Sequence, residues 1–217
     1  FDPGLIARYD RAGPRYTSYP TADRFNANFD IEAYRRALEN SRRNGQSPPL
    51  SLYFHLPFCS KLCLYCGCSK IVTKDQSKAA RYVDYLRKEI AIQSRLAEPS
   101  RKVEQLHWGG GTPTFLSAEQ MTTLMGVTRD HFDLALEGEY SIEIDPRTAG
   151  EKIIELLRFI GFNRLSLGVQ DFDLEVQRAV NRVQSEQQTR RVVGAGRDAG
   201  FKSISVDLIY GLPKQTV

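Results

Sequence analysis

All four cysteines of this chain fall within ten residues: Cys59, Cys63, Cys66 and Cys68, in the string PFCSKLCLYCGC. A disulfide framework spreads its cysteines to staple distant segments. A tight cluster in a chain otherwise free of cysteine reads instead as a metal site in a reducing compartment, which points to the cytoplasm. The spacing Cys59-x3-Cys63-x2-Cys66 puts three thiolates on one short loop. Three thiolates can hold three irons of a cubane and leave the fourth without a ligand from the motif. That open iron can bind a substrate or cofactor directly, as open zinc sites do. Zinc itself is the main alternative. Its sites pair C-x2-4-C turns a dozen or more residues apart, or add histidines at set spacing. Here a single ion would need four thiolates converging from one tight loop, so iron–sulfur chemistry is favoured.

The elements that must position this loop alternate regularly. Apolar, strand-like runs cover 50–56, 103–108, 140–145, 164–169 and 203–210. Helical stretches separate them. The first, 81–96, carries Tyr82, Tyr85, Leu86, Ile90 and Leu96 on one stripe. The next, 117–132, opens with Ser117 and Gln120 at capping-box spacing. Two more cover 150–160 and 185–199, the latter ended by Gly200 as a C-cap. Such alternation predicts parallel βαβ units, an α/β chain with five strands. Each strand is followed by unusual residues: the cysteine loop, GGGTPT, DP, Gln170 and GLP. In a parallel barrel all strand C-termini share the face that carries the active site. Glycine or proline after one strand is a turn; five such ends, one bearing the cysteines, specify a site.

The rest of the chain sets bounds. Its 217 residues make one large domain or two small ones, and 41% hydrophobic residues suffice for a sizeable core. A net charge of +4 is mild and calls for no nucleic acid. No apolar run nears the roughly 18 residues of a membrane helix. The opening FDPGLIARYD lacks the apolar core of a secretory leader and an initiator Met. Residues 1–49 read as an N-terminal extension before a 50–217 core. In it GPRYTSYPTADRF is rich in turn formers and aromatics. Asp30 opens a short helix with Ile31, Tyr34 and Leu38 on one face, and NGQSPP connects to the core.

CxxxCxxC after a first strand is the signature of radical S-adenosylmethionine (SAM) enzymes. The longer string LYFHLPFCSKLCLYCGCSKIVT, with GPRYTSYPTA, LHWGGGTPT, SIEIDPR, GFNRLSLGVQDF, VQRAVNRVQ and VDLIYGLPKQT, resembles the oxygen-independent coproporphyrinogen III oxidase family over essentially the whole chain. The resemblance implies an incomplete parallel (βα) barrel of the radical SAM, TIM-like type, with a sixth strand and a C-terminal substrate-covering domain beyond Val217. It implies a [4Fe–4S] cluster on Cys59, Cys63 and Cys66, with SAM bound to the open iron through its amino and carboxylate groups. Gly110, Gly111 and Thr112 match the family's glycine-rich SAM-binding segment, and glycines let backbone approach a ligand. Tyr53, Tyr65, Glu143, Gln170, Arg182 and Asp207 match positions that contact SAM, Tyr65 standing where a Phe is commoner. Glu143 and Asp207 suit hydroxyl or ammonium donors, and Arg182 suits a carboxylate. Cys68 and His55 are the catalytic candidates: Cys68 lies on the loop without being needed as a ligand, and His55 shares a strand face with Tyr53 four residues before Cys59. His107 and His131 are read as structural.

The implied reaction is radical decarboxylation of two propionate side chains of coproporphyrinogen III to vinyl groups, giving protoporphyrinogen IX in anaerobic haem biosynthesis. It implies a second SAM near the first, an electron donor such as a flavodoxin or ferredoxin, and a monomer. Arg15 in the extension is a candidate propionate contact. Two relatives on the same scaffold compete: a haem-degrading methyltransferase, and a haem-binding chaperone expected to lack both the extension and Cys68.

Overall fold

The computed structural model describes residues 2–10, 21–41, 48–97 and 101–216. The chain divides into two compact units, Phe1–Gln46 and Ser47–Val217. The first holds α1 (Pro3–Tyr9) and α2 (Ile31–Asn40). Asp30 caps α2 by accepting from the Ala33 N–H at 2.8 Å. Helix α1 has no apolar period to reveal it. Asp2 starts it by accepting from the Gly4 and Leu5 N–H groups, with proline in the first turn. Arg15 and most of GPRYTSYPTA lie outside the described residues.

The second unit is built on a five-stranded sheet of β1 (Leu50–Leu56), β4 (Lys102–Gly110), β5 (Asp133–Ile144), β6 (Arg164–Gln170) and β7 (Ser203–Leu208), in that order. All its pairs are parallel. The helices between them are α3 (Gln76–Leu96), α4 (Ala118–His131), α5 (Glu151–Phe159), α6 (Leu174–Ala179) and α7 (Glu186–Asp198). Sequential strands stay neighbours, as in the arc of a barrel. Two short strands, β2 (Phe58–Cys59) and β3 (Ile71–Val72), pair separately.

Strand alternation sorts the side chains into two sets. Phe54, Leu56, Leu106, Trp108, Ile142, Ile144, Leu165 and Leu167 are buried in one core with Val83 and Ile90 of α3, Leu124 of α4, Leu157 of α5 and Val192 of α7. Trp108 meets the Phe162 ring edge-on at 4.9 Å. The alternate residues are polar. Ser51, His107, Ser141, Ser166 and Ser205 line one cavity on the opposite face. The apolar face thus anchors the sheet and frees the other for chemistry.

Several boundaries differ from expectation. Strand β5 begins at Asp133, well before 140, beyond a register irregularity opposite Val103–Gln105. Helix α3 begins at Gln76, where Asp75 accepts from the Ser77 N–H. Its buried stripe is Ala79, Val83, Leu86 and Ile90, and Tyr85 is 57% exposed. Arg81 and Lys88 lie over the Tyr85 ring, covering an aromatic that the stripe does not need. The Ser117–Gln120 capping box forms, and Ser185–Gln188 forms a second. Gly200 has φ +78°, the left-handed helix stop that glycine supplies.

Candidate active site

The cysteine loop leaves β1 and returns at β3. It is closed by Ile71 N–H donating to Pro57 O at 2.7 Å and Thr73 N–H to Cys59 O at 2.9 Å. Two further ties come from the end of α6. Leu64 N–H donates to Val180 O at 3.0 Å, and the Asn181 side-chain amide donates to Leu62 O at 2.7 Å. Asn181 sits at φ +55°, a left-handed conformation that asparagine tolerates better than most residues. Lys70 donates to the carbonyls of Cys66 and Cys68. The loop is therefore fixed from both flanks.

Cys59, Cys63, Cys66 and Cys68 line one cavity with Tyr65, Gly110, Gly111, Thr112, Glu143, Gln170, Arg182 and Asp207. The ends of five strands meet there, as the pattern of odd residues predicts. Donors point at the sulfurs: Thr112 Oγ1 at 3.6 Å from Cys59 Sγ, Arg147 Nη2 at 3.6 Å and Arg182 Nη1 at 3.5 Å from Cys63 Sγ. The two guanidinium groups bring positive charge to the Cys63 sulfur, complementary to the anionic sulfur of a metal ligand. Burial pushes the Cys59 thiol above its ordinary pKa, and the Thr112 hydrogen bond works against that. Burial raises Cys68 as well, helped by Cys66 beside it. The Tyr65 phenol is also raised by burial, against the pull of Arg182. Among the described residues no three His, Cys, Asp or Glu groups stand close enough to grip one metal ion.

Beneath the cysteines lies an ionic cluster in which the sequence marks only Arg182. Asp145, 7% exposed, accepts from Arg147 Nη2 at 2.6 Å and stands 3.4 Å from Arg182 Nη1. Arg182, also 7% exposed, donates through Nη2 to Gly168 O at 2.6 Å, and its Nε has no protein partner. Burial works against the Asp145 charge, but the Arg147 hydrogen bonds and the two guanidinium charges outweigh it and hold the carboxyl below its ordinary range. The signal for Asp145 and Arg147 was the DPR at a strand end. Without the third dimension it reads as a turn.

Removing Asp145 leaves two guanidinium groups buried without their counter-charge. Asp145→Ala should cost about 3 kcal/mol or more, the range for breaking a buried pair from one side. Denaturant unfolding reads this directly. Because the folded-state pKa lies below the unfolded one, this contribution is full above the ordinary carboxylate range and is lost as pH falls through the depressed value. Acid should therefore loosen the wild type and leave Asp145→Ala less affected.

On the opposite wall, Glu143 Oε2 accepts from the Gly110 N–H at 3.1 Å, and Asp207 Oδ2 accepts from the Ser166 hydroxyl at 3.0 Å. Gln170 holds φ +74°, a left-handed conformation rare for a residue with a side chain and typical of functional strain. The glycines serve the protein as well as the cavity. A Cβ on Gly111 would stand 2.7 Å from the Pro57 carbonyl carbon, and one on Gly110 2.7 Å from the His55 ring. Tyr53 and His55 do not line this cavity; they line another with Tyr82 and Glu89. His55 Nε2 donates to Ser69 O at 2.8 Å, which leaves Nδ1 to accept from the Tyr53 hydroxyl at 3.0 Å. Both ring nitrogens are thus engaged, Nε2 with the cysteine loop and Nδ1 with Tyr53 on the same strand.

The family model described as the radical SAM superfamily matches residues 53–217. The chain is 53% identical to the oxygen-independent coproporphyrinogen III oxidase of Pseudomonas aeruginosa and 50% identical to that of Escherichia coli. Each alignment covers 100% of this chain, and 47% and 46% of the relative. The chain therefore spans about half the length of the curated relatives it matches. The solved structure of coproporphyrinogen III oxidase from Escherichia coli superposes with a TM-score of 0.89 at 48% identity, over 100% of this chain and 47% of that one. A cobalamin-bound radical SAM methyltransferase from Kitasatospora setae, at 16% identity and a TM-score of 0.52, covers 83% of this chain and 34% of its own; it shares the fold alone. No described helix is long and apolar enough to cross a membrane.

Proposed function

From the membership of this chain in the radical SAM superfamily, we infer that it forms the cofactor-binding part of an oxygen-independent coproporphyrinogen III oxidase. The observation that carries the reading is the cavity itself. It gathers the cysteines of one loop, with two guanidinium groups donating to Cys63, and carboxylates from two strand ends.

Cys59, Cys63 and Cys66 hold a [4Fe–4S] cluster. When bound, cluster and SAM supply an electron and a carbon-centred radical able to take hydrogen from an unactivated carbon. The protein's own part is placement. Arg147 and Arg182 donate to the Cys63 sulfur, where they would stabilise the negative charge of a ligand sulfur. Glu143 offers acceptor oxygens for an ammonium, Asp207 and Gln170 offer hydrogen bonds to hydroxyls, and Gly110 to Thr112 form the floor. Tyr65 closes one side. Tyr53 supports this cavity through the inner sheet face. The substrate class is a tetrapyrrole bearing propionates, two of which would each lose a hydrogen atom to the carbon-centred radical, CO2, and one electron to an external acceptor, to become vinyl groups. Arg15 of the extension is a propionate contact of matching chemistry. A second SAM, a flavodoxin- or ferredoxin-like electron donor, a monomeric state and a cytoplasmic location complete the proposal.

The full-length protein, purified anaerobically, is expected to be brown, to contain about four irons and four sulfides per chain, to bleach in air, and to convert coproporphyrinogen III in the presence of SAM and a reductant. Stoichiometric zinc without iron would overturn the cluster. Iron and SAM cleavage without porphyrinogen turnover would overturn the substrate.

A further inference from the structure

His107 reads from sequence as a structural histidine, but its surroundings give it more to do. The sheet register sets Tyr53 of β1, His107 of β4 and Ser141 of β5 side by side across three adjacent strands. The Tyr53 ring stacks on the imidazole, centroids 5.8 Å apart and planes 15° apart. Ser141 Oγ lies 2.6 Å from His107 Nδ1, and His107 Nε2 lies 3.4 Å from Glu143 Oε1. A carboxylate only accepts, so Nε2 carries the proton that faces Glu143. In the neutral ring Nδ1 is then the acceptor, and the short Ser141 contact is the hydroxyl donating to it. The Ser141 hydroxyl, which can donate or accept, fits that tautomer and holds the ring in place. Glu143 is held at both oxygens, by His107 at one and by the Gly110 N–H at the other.

Between the two side chains lies Gly109. A Cβ there would stand 2.9 Å from Glu143 Oε1 and 2.9 Å from His107 Nε2. No left-handed φ demands a glycine at this position. The room is needed because imidazole and carboxylate meet over the backbone. We propose that His107, oriented by Ser141 and stacked on Tyr53, is a positioning residue that aims the Glu143 carboxylate into the cofactor cavity, and that Gly109 is the gap through which the pair meets. The inference rests on the reading of Glu143 as a SAM contact.

The test uses full-length holoenzyme, with SAM affinity measured by calorimetry and SAM cleavage by steady-state kinetics. His107→Phe keeps the stack and removes the N–H. It should raise the SAM Kd about tenfold, the loss typical when a residue orienting a ligand is removed, with iron content and kcat at saturating SAM unchanged. His107→Gln returns an N–H near the Nε2 position and should bring the Kd back within about twofold of the parent. In a Glu143→Ala background His107→Phe should cost nothing further, because residues acting as one unit are not additive. An unchanged Kd in His107→Phe, or a full additive loss in the double variant, overturns the proposal. If His107→Phe does not fold, Gly109→Ala carries the test: its methyl group must part the pair, and the same tenfold rise is expected. Glu143→Ala measured alone separates the two levels. If it leaves SAM affinity unchanged, both the SAM pocket reading and this inference fail; if it weakens binding while His107→Phe and Gly109→Ala do not, only this inference fails.

Discussion

Cys63→Ser in the full-length protein is expected to abolish SAM cleavage and to lower iron well below that of the parent, while the chain stays folded. Cys63 is the most buried of the four cysteines and the one on which both Arg147 and Arg182 converge. Those guanidinium groups are held by Asp145 and Gly168 O, not by the sulfur, so they remain in place when it is gone. Serine preserves volume but is a poor iron ligand beside thiolate. The loop itself is tied by backbone and amide bonds at Leu62, Leu64 and Ile71, none of which passes through a thiol. Iron analysis and the cluster absorption bands measure the first claim, circular dichroism the second. Full iron and normal SAM cleavage in Cys63→Ser would mean that the cluster sits elsewhere.

The outline of this architecture was legible because each layer left its own periodic trace. The five strands announced themselves as apolar runs, since their outer faces are buried under helices. The cysteine loop, the glycines, the DP turn, Gln170 and GLP could be placed at one face because parallel strands must end together. What escaped has physical reasons. Helix α6 is six residues long, too short to show a stripe, and is fixed by Asp173 capping and burial of Val176 and Gln177. Yet it delivers Asn181 and Arg182 to the cysteine loop. The DP after β5 was legible as a strand end at the site, but the pairing of Asp145 with Arg147 was not, and only folding brings Arg182, far along the chain, onto the same carboxylate. His107 looked structural because neither register nor tautomer is written in one strand. Tyr85 was placed on the wrong side of its helix because an aromatic residue counts as apolar even where two cations shield it.

Cys68→Ser is expected to retain full iron and SAM affinity in the complete enzyme and to lose most decarboxylation. On the proposed reading the cluster takes three ligands, from Cys59, Cys63 and Cys66. A fourth thiolate would close the iron that must stay open for the cofactor. Cys68 nevertheless lines the cavity, is exposed where Cys63 is buried, and stands beside Cys66. Its backbone is fixed by Lys70, which donates to the carbonyls of Cys66 and Cys68 at 2.9 and 3.3 Å. A buried cysteine that merely packs shows none of these features; it sits in apolar surroundings and is inert. Burial and Cys66 raise the Cys68 pKa, which favours the neutral thiol. A neutral S–H offers a weakly held hydrogen atom and a weak hydrogen-bond donor. Serine keeps the donor and lacks the weak bond to hydrogen, so it separates the two roles. Loss of turnover in Cys68→Ser with cluster spectra unchanged assigns the hydrogen or electron step to sulfur. Wild-type turnover would reduce Cys68 to a packing residue, and altered cluster spectra with a lost iron ligand would make it a ligand instead.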